Sequence, residues 1–411
     1  MEEIKSKIIT EIDELKPEII KFSQELIRAK SENPYLPNES WKINKPIEKK
    51  VAKLIFNKLK KFGLKPQYVS VLSQRPNVVC SLKKKGRPTL IFNGHMDTVP
   101  AGDESKWKYP PFSAKIIGNK LYGRGALDMK ASLAAMVFAM KVLSKIDLKG
   151  NLIFTAVVDE EPGASSEIGT KYLLKKCLKG DACLVGEPGT KKICIGSKGG
   201  WRLKIITKGK AVHTGSFDWE KQRKGINAVA KMAKILLFLE KLKLKYKPTK
   251  LFKGRKPVIT PGTLIRGGTA INIVPDYCEA TIDIRLMPGQ KKEKIKKELF
   301  DYLQKFKEKD PQIKFKIKDL IFVPSVLISE KEKIVNLLKK NARFILKREP
   351  KIGSSGPWSD AHFFIEKGIP TISGFGPDGK NEHSLNEFVN IDSIVKACKI
   401  YALFAFDFLN I

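Results

Sequence analysis

No run of eighteen apolar residues occurs in the 411-residue chain, so no transmembrane helix is expected. The opening Met-Glu-Glu-Ile-Lys lacks the apolar segment of a secretory leader, and no export signal is expected either. Cysteine is scarce: six residues, at 80, 177, 183, 194, 278 and 398, with no Cys-x-x-Cys pair. That pattern excludes a disulfide framework and a cysteine-rich zinc module, and predicts reduced core thiols in a cytoplasmic protein. Acidic residues are few beside basic ones, 43 against 78, which leaves a formal net charge of +35. Such an excess raises the possibility of a basic nucleic-acid-binding protein. Yet there is no Arg-rich arm, RNA-binding signature or zinc-finger spacing, and the lysines stand beside glutamates on helical stretches. They read as a solvated, lysine-rich surface of the heat-adapted kind, whose field favours anionic substrates.

What is present is enough apolar residue, 42%, for a large core divided among two or three domains. The chain is organised around Ile-Phe-Asn-Gly-His-Met-Asp-Thr-Val-Pro, residues 91–100. Its apolar start reads as a buried strand, with His95 and Asp97 just past the end. An imidazole there can hold a metal through one nitrogen while the neighbouring carboxylate orients the ring. A bare His-x-Asp is more often a turn with a capping aspartate, but four more candidate ligands follow at the ends of later elements. Asp128, in Gly-Arg-Gly-Ala-Leu-Asp-Met-Lys, precedes an apolar helix over 131–143, where its plain alternative is an N-cap. Asp159-Glu160-Glu161 closes an apolar strand over 151–158 and is sealed by Pro162-Gly163. Three acids in a row repel one another without a cation, and the proline turn would bring both glutamates to one centre. Glu187-Pro-Gly ends a strand over 182–186, and His383 follows one over 371–375.

Helices expected at 3–29 (interrupted near Pro17), 46–62, 167–178, 330–346 and from 391 alternate with these strands. The pattern is an α/β fold with its site at the C-terminal strand edges. From about residue 195 the character changes to alternating strands at 201–208, 258–265, 278–286 and 313–317. Helices are expected at 227–245 and 291–307. This β-α-β-β-α-β order predicts an inserted ferredoxin-like domain, with domain limits 1–197, 198–320 and 321–411.

The ligand inventory is His95, Asp128, Glu161, Glu187 and His383, with Glu160 left over as a base. Mixed imidazole and carboxylate suits Zn²⁺, with Co²⁺ or Mn²⁺ as substitutes. Five ligands exceed one tetrahedral site and fit two metals about 3.5–4 Å apart sharing a carboxylate.

With Gly-His-Met-Asp, Gly-Arg-Gly-x-x-Asp-Met-Lys, Asp-Glu-Glu-x-Gly, Gly-Glu-Pro and His-Ser-x-Asn-Glu in place, the chain resembles a family of co-catalytic dizinc hydrolases over nearly its whole length. That family includes acetylornithine deacetylase, succinyl-diaminopimelate desuccinylase, aminoacylase and carboxypeptidase G. The resemblance implies a zinc-exopeptidase-like catalytic domain, its mixed sheet set between helices, and an inserted dimerisation or lid domain. It implies Asp128 as the bridge, His95 and Glu187 on one metal, Glu161 and His383 on the other, Glu160 as general base and Asp97 as orienter of His95. It also implies a homodimer in which His213 enters the partner's site to stabilise an oxyanion. Asn272 and Arg285 would contact the substrate's carboxylate end; the alternative for Arg285 is a salt-bridged strand residue. The expected activity is hydrolysis of an N-acyl amino acid, as in amino-acid biosynthesis, or of a short peptide by an exopeptidase. A nucleic-acid binder with a vestigial metal site is the rival from another class. Two departures stand out: Ala131 where the family usually has Gly, and His362 where many relatives have the Arg that clamps a substrate carboxylate.

Overall fold

The computed structural model describes residues 1–34, 45–83, 86, 88–161 and 166–410. They form two compact units, Met1–Ser197 with Leu327–Ile411, and Lys198–Val326. The expected Pro162-Gly163 turn lies outside the described residues.

The first unit is built on a mixed six-stranded sheet. Its order is Gln67–Val69, Asn77–Leu82, Asn151–Val157, Thr89–His95, Ala182–Val185, Thr371–Ile372. The last four run parallel, whereas the first two are antiparallel to their neighbours. Leu90, Ile91 and Phe92 are fully buried, as strands covered on both faces require. One cover is the helix Ala131–Leu143, buried on every side except at Lys141, which makes it a core helix with no solvent face. The helix Ile391–Leu409 packs along it. A small antiparallel sheet brings Phe388–Asn390 beside Lys120–Tyr122 and so sets the 379–390 segment against the turn that carries Asp128.

Several elements end earlier than periodicity suggests. The N-terminal helix is two helices, Glu2–Glu14 and Lys16–Arg28, with Pro17 in the first turn of the second. The helices expected at 46–62, 167–178 and 330–346 are Lys49–Lys61, Thr170–Lys176 and Lys333–Leu346. The strand expected at 371–375 stops at Ile372. There the chain turns to bond the strand Lys192–Ser197 instead, Ser373 N to Cys194 O at 2.7 Å and Cys194 N to Gly374 O at 3.1 Å.

The second unit is a fully antiparallel sheet in the order Val258–Gly267, Tyr277–Leu286, Gly199–Lys208, Lys314–Val323. Alternate residues of the two central strands point to one apolar face: Trp201, Leu203 and Ile205 opposite Ile284, Ile282 and Ala280. Helices Ala228–Leu239 and Lys292–Lys309 cover that face through Met232, Ile235, Leu239, Ile295, Leu299 and Leu303. The first helix is shorter than the expected 227–245. Beyond it leucines alternate with lysines, a two-residue rhythm that buries Leu244 from extended chain.

Candidate metal centre

Parallel strands end together, and their ends carry the site. His95 is the last residue of Thr89–His95, Glu160 and Glu161 follow Asn151–Val157, and Glu187 follows Ala182–Val185. Asp128 comes from an irregular turn before the helix Ala131–Leu143 and has extended backbone angles, φ −116° and ψ 96°. The N-cap of that helix is Lys130, so the capping alternative for Asp128 does not apply. His383 sits in the turn before Phe388–Asn390 with φ +58°.

Five of these residues, His95, Asp128, Glu161, Glu187 and His383, meet. His95 Nε2 lies 3.0 Å from Asp128 Oδ1, and His383 Nε2 lies 3.1 Å from both Asp128 Oδ2 and Glu161 Oε2. Candidate ligand atoms of His95, Asp128 and Glu187 all fall within 4.8 Å of one another, as do those of Asp128, Glu161 and His383. Asp128 belongs to both groups.

The surroundings fit cations. Nδ1 of His95 is 3.0 Å from the carbonyl oxygen of Asp97, which only accepts, so Nδ1 keeps its proton and Nε2 is the atom left to exchange a proton for a metal. Oε1 of Glu161 is buried with no hydrogen-bond partner. A buried carboxylate with one oxygen unpartnered, on a residue grouped with imidazoles and carboxylates, is what a metal ligand looks like before its metal. Burial, together with neighbouring carboxylates, holds Glu160 and Glu187 well above the usual carboxylate range and raises Glu161. Burial also opposes charge on Asp128 and His383. Their mutual hydrogen bond prevails, lowering Asp128 and, with Glu161, pushing His383 up to about 12. Against burial, the neighbouring carboxylates also raise His95 well above its ordinary value.

Asp97 works differently from the sequence reading. Its carboxylate is 3.7 Å from His95 Nδ1, and its backbone carbonyl makes the closer contact with the ring. The carboxylate instead accepts three N–H groups: Glu160 N at 3.2 Å, Glu161 N at 3.1 Å and Asn33 Nδ2 at 2.8 Å. It fixes the backbone from which both glutamates project.

A residue that the sequence offers only as the end of a motif, Glu387, anchors the Asp128 turn. Its carboxylate accepts Gly125 N at 3.1 Å, Leu127 N at 2.8 Å and Asp128 N at 3.1 Å, and pairs with Arg124 Nη1 at 2.7 Å. Gly125 adopts φ +78°, and a Cβ there would meet Thr98 at 2.5 Å, so glycine is required. Asp360 is a second unassigned acid, buried on the hydroxyls of Ser166 at 2.6 Å and Thr170 at 2.5 Å. Burial raises it to about 6. Nothing in the sequence assigns either residue its role, because their partners are far away in sequence.

His362 is buried in the short helix Ala361–Glu366, with Nδ1 2.9 Å from the Ser359 carbonyl and its ring against Phe363. Burial lowers it to about 4, so it is a neutral core residue and no carboxylate clamp.

The second unit holds the remaining candidates. His213 is exposed, and Gly215 N donates to its Nδ1 at 3.1 Å, which leaves the proton of the neutral ring on Nε2. Nδ2 of Asn272 is 3.5 Å from that Nε2. Arg285 pairs along its own strand with Asp283, Nε to Oδ1 at 2.7 Å, the bland alternative that the sequence left open.

The sequence profile of peptidase family M20/M25/M40 matches residues 91–407. An N-formyl-4-amino-5-aminomethyl-2-methylpyrimidine deformylase of Halalkalibacterium halodurans is 29% identical over 439 residues, covering 98% of this chain and 97% of the relative. A succinyl-diaminopimelate desuccinylase of Pelagibacter ubique is 30% identical over 371 residues, 87% of this chain and 93% of the relative. Among solved structures, a dinuclear metal-binding peptidase of the M20 family from Bacillus subtilis shares the fold with a TM-score of 0.70. The two are 16% identical, over 97% of this chain and 100% of that one. With a profile match that takes in all five candidate ligands, the chain belongs to peptidase family M20/M25/M40 and is a metal-dependent hydrolase.

Proposed function

We propose that the protein removes the acyl group from an N-acyl amino acid or a related N-acyl amine, using two Zn²⁺ ions for which Co²⁺ or Mn²⁺ can substitute. The observation that carries this is the pair of ligand groups joined at Asp128. His95, Glu187 and Asp128 would hold one metal; Glu161, His383 and Asp128 would hold the other. When bound, such ions polarise the scissile carbonyl and lower the pKa of water. Glu160 takes a proton from the attacking water and returns it to the leaving nitrogen. It is buried beside the ligands His95, Glu187 and Glu161, within reach of the water they would hold, as a proton carrier requires. Acyl removal from nitrogen is the step named for both relatives above, each aligned over most of this chain.

His213, with its proton on Nε2, is suited to donate to an oxyanion. We assign that role to the partner subunit's His213 in a homodimer formed through the second unit, the inserted dimerisation and lid domain. In support, the edge strand Val258–Gly267 exposes Leu264 at 59% and Ile265 at 55%, whereas the opposite edge carries Lys314, Lys316 and Lys318. Charged edges resist pairing and apolar edges invite it. Asn272, beside His213, is assigned to the carboxylate end of the substrate, whereas the ion pair of Arg285 with Asp283 favours the structural role for that residue. The free cysteines fit a reducing cytoplasm, and among the described residues no helix is long and apolar enough to cross a membrane.

The test is a panel of N-succinyl, N-acetyl and N-formyl compounds and dipeptides with added Zn²⁺, Co²⁺ or Mn²⁺. Release of amine from acyl compounds in preference to dipeptides is expected. Cleavage confined to dipeptides would make the protein an exopeptidase. Salt-dependent retention of DNA with no hydrolysis at all would favour the nucleic-acid reading.

A further inference from the structure

Adjacent residues of a strand face opposite ways, yet Glu160 and Glu161 both serve one centre. The answer lies in Asp159, the acid of the trio that does not face the ligands. It has φ +69°, the left-handed region that aspartate tolerates better than most residues. That turn aims two successive N–H groups, of Glu160 and Glu161, at the single carboxylate of Asp97, 3.2 and 3.1 Å away. Successive amides around an anion form a compact nest that holds only while the turn holds.

The turn is gripped from behind by a buried polar chain. Arg75 Nη2 lies 3.4 Å from Asp159 Oδ1, and Arg75 also pairs with both oxygens of Glu48, through Nη2 and through Nε at 2.8 Å. Glu48 Oε1 in turn accepts Asp159 N at 3.3 Å. Asn33 Nδ2 spans the two aspartates, 2.8 Å to Asp97 Oδ2 and 3.4 Å to Asp159 Oδ1. Arg75, Glu48, Asp159 and Asp97 are 0% exposed, and Asn33 is 1% exposed. An ion pair sealed in the core is a poor source of stability, since an apolar pair of like volume does as well. Its planar fork, however, fixes geometry with a precision that apolar packing lacks.

We infer that Arg75, held by Glu48, is a positioning residue. Through Asp159 it sets the turn that presents Glu160 to the reacting water and Glu161 to its metal. The inference rests on the roles proposed above for those two glutamates, but its first readout does not. Amide hydrogen exchange in the metal-free protein reports the nest directly. In Arg75→Lys, which keeps the charge and loses the fork, exchange at Glu160 and Glu161 should quicken at least about tenfold. Exchange in the strand Thr89–His95 should stay unchanged.

The second readout is Co²⁺ binding. One of the two binding steps, the one served by Glu161, should weaken about 10- to 100-fold while the other holds. In the loaded enzyme kcat should fall by a similar factor, with KM within about twofold. Asp159→Asn covers the case in which Arg75→Lys does not fold: it keeps the left-handed turn and an acceptor for Arg75 and drops only the charge. The same pattern, smaller in size, is expected.

Unchanged exchange at Glu160 and Glu161 in a folded variant overturns the inference whatever the substrate. Equal weakening of both Co²⁺ steps with a matching fall in Tm also overturns it, as a general stability effect. A wild-type protein with one Co²⁺ step or no amide hydrolysis would instead overturn the proposed function, and the exchange result would still decide the role of Arg75.

Discussion

The carboxylate of Glu387 accepts the backbone N–H of Asp128 at 3.1 Å. Glu387 shares a turn with His383, whose Nε2 is 3.1 Å from the Asp128 side chain. One turn therefore supplies a candidate ligand and also pins the backbone of the candidate bridge. Replacing Glu387 with Ala leaves four donors without their acceptor, among them the buried guanidinium of Arg124. Glu387→Ala should cost on the order of 3–5 kcal/mol in urea unfolding and weaken metal binding about 10- to 100-fold. Glu387→Gln, which keeps one acceptor oxygen, should lose less of both. A folded Glu387→Ala protein with wild-type metal affinity would mean that Glu387 only stabilises the fold.

Glu160 and Glu161 are neighbours with different assignments. Glu160→Gln should abolish turnover with metal content nearly intact, since it serves the water. Glu161→Gln should lose metal as well, because its carboxylate is part of the ligand group. Metal analysis and kcat on the two variants decide this. Equal metal loss would reverse or merge the roles.

His362 gives the protein an acid sensitivity of known sign. Its folded value, about 4, lies below the unfolded 6.5, so the neutral ring contributes stability fully above pH 6.5 that is lost as pH falls through about 4. The shift corresponds to a contribution on the order of 3 kcal/mol. His362→Asn, whose amide can still donate to the Ser359 carbonyl, should narrow the gap in unfolding free energy between pH 7 and pH 4 by about that much. An identical gap in both proteins would show that the ring binds its proton in the fold as it does in the unfolded chain.

The shared site of the proposed dimer is tested by mixing inactive chains. Glu160→Ala and His213→Ala chains refolded together re-pair at random, and about half the dimers are mixed, each with one intact site. Activity should recover to roughly a quarter of the unmutated value. Confirmed exchange with no recovery would show that His213 does not act across subunits.

The sequence made legible what rests on local chemistry. Apolar runs that stop at His95, Glu160 and Glu187 mark strand ends, and parallel strands must end side by side. Alternation around Trp201 and Ile282 likewise gives away a sheet with one covered face. What it hid rests on partners distant in the chain. Glu387 bonds a turn some 260 residues away, and Asn33 bridges two aspartates 64 and 126 residues on. No period or spacing points to either partner. Asp97 was visible as a polar neighbour of His95, but its choice of backbone amides over the imidazole depends on where residues 160 and 161 are brought by folding. The helix expected at 227–245 overruns the observed Ala228–Leu239 because lysine and leucine suit a helix as well as the extended stretch that follows.

The central claim is that two metals share Asp128. It is tested most directly by titrating metal-free protein with Co²⁺ while following the visible absorption and the activity. The account predicts two equivalents per chain, and in Asp128→Asn a weakening of both binding steps together. Saturation at one equivalent with full activity, or loss of a single step in Asp128→Asn, would contradict it.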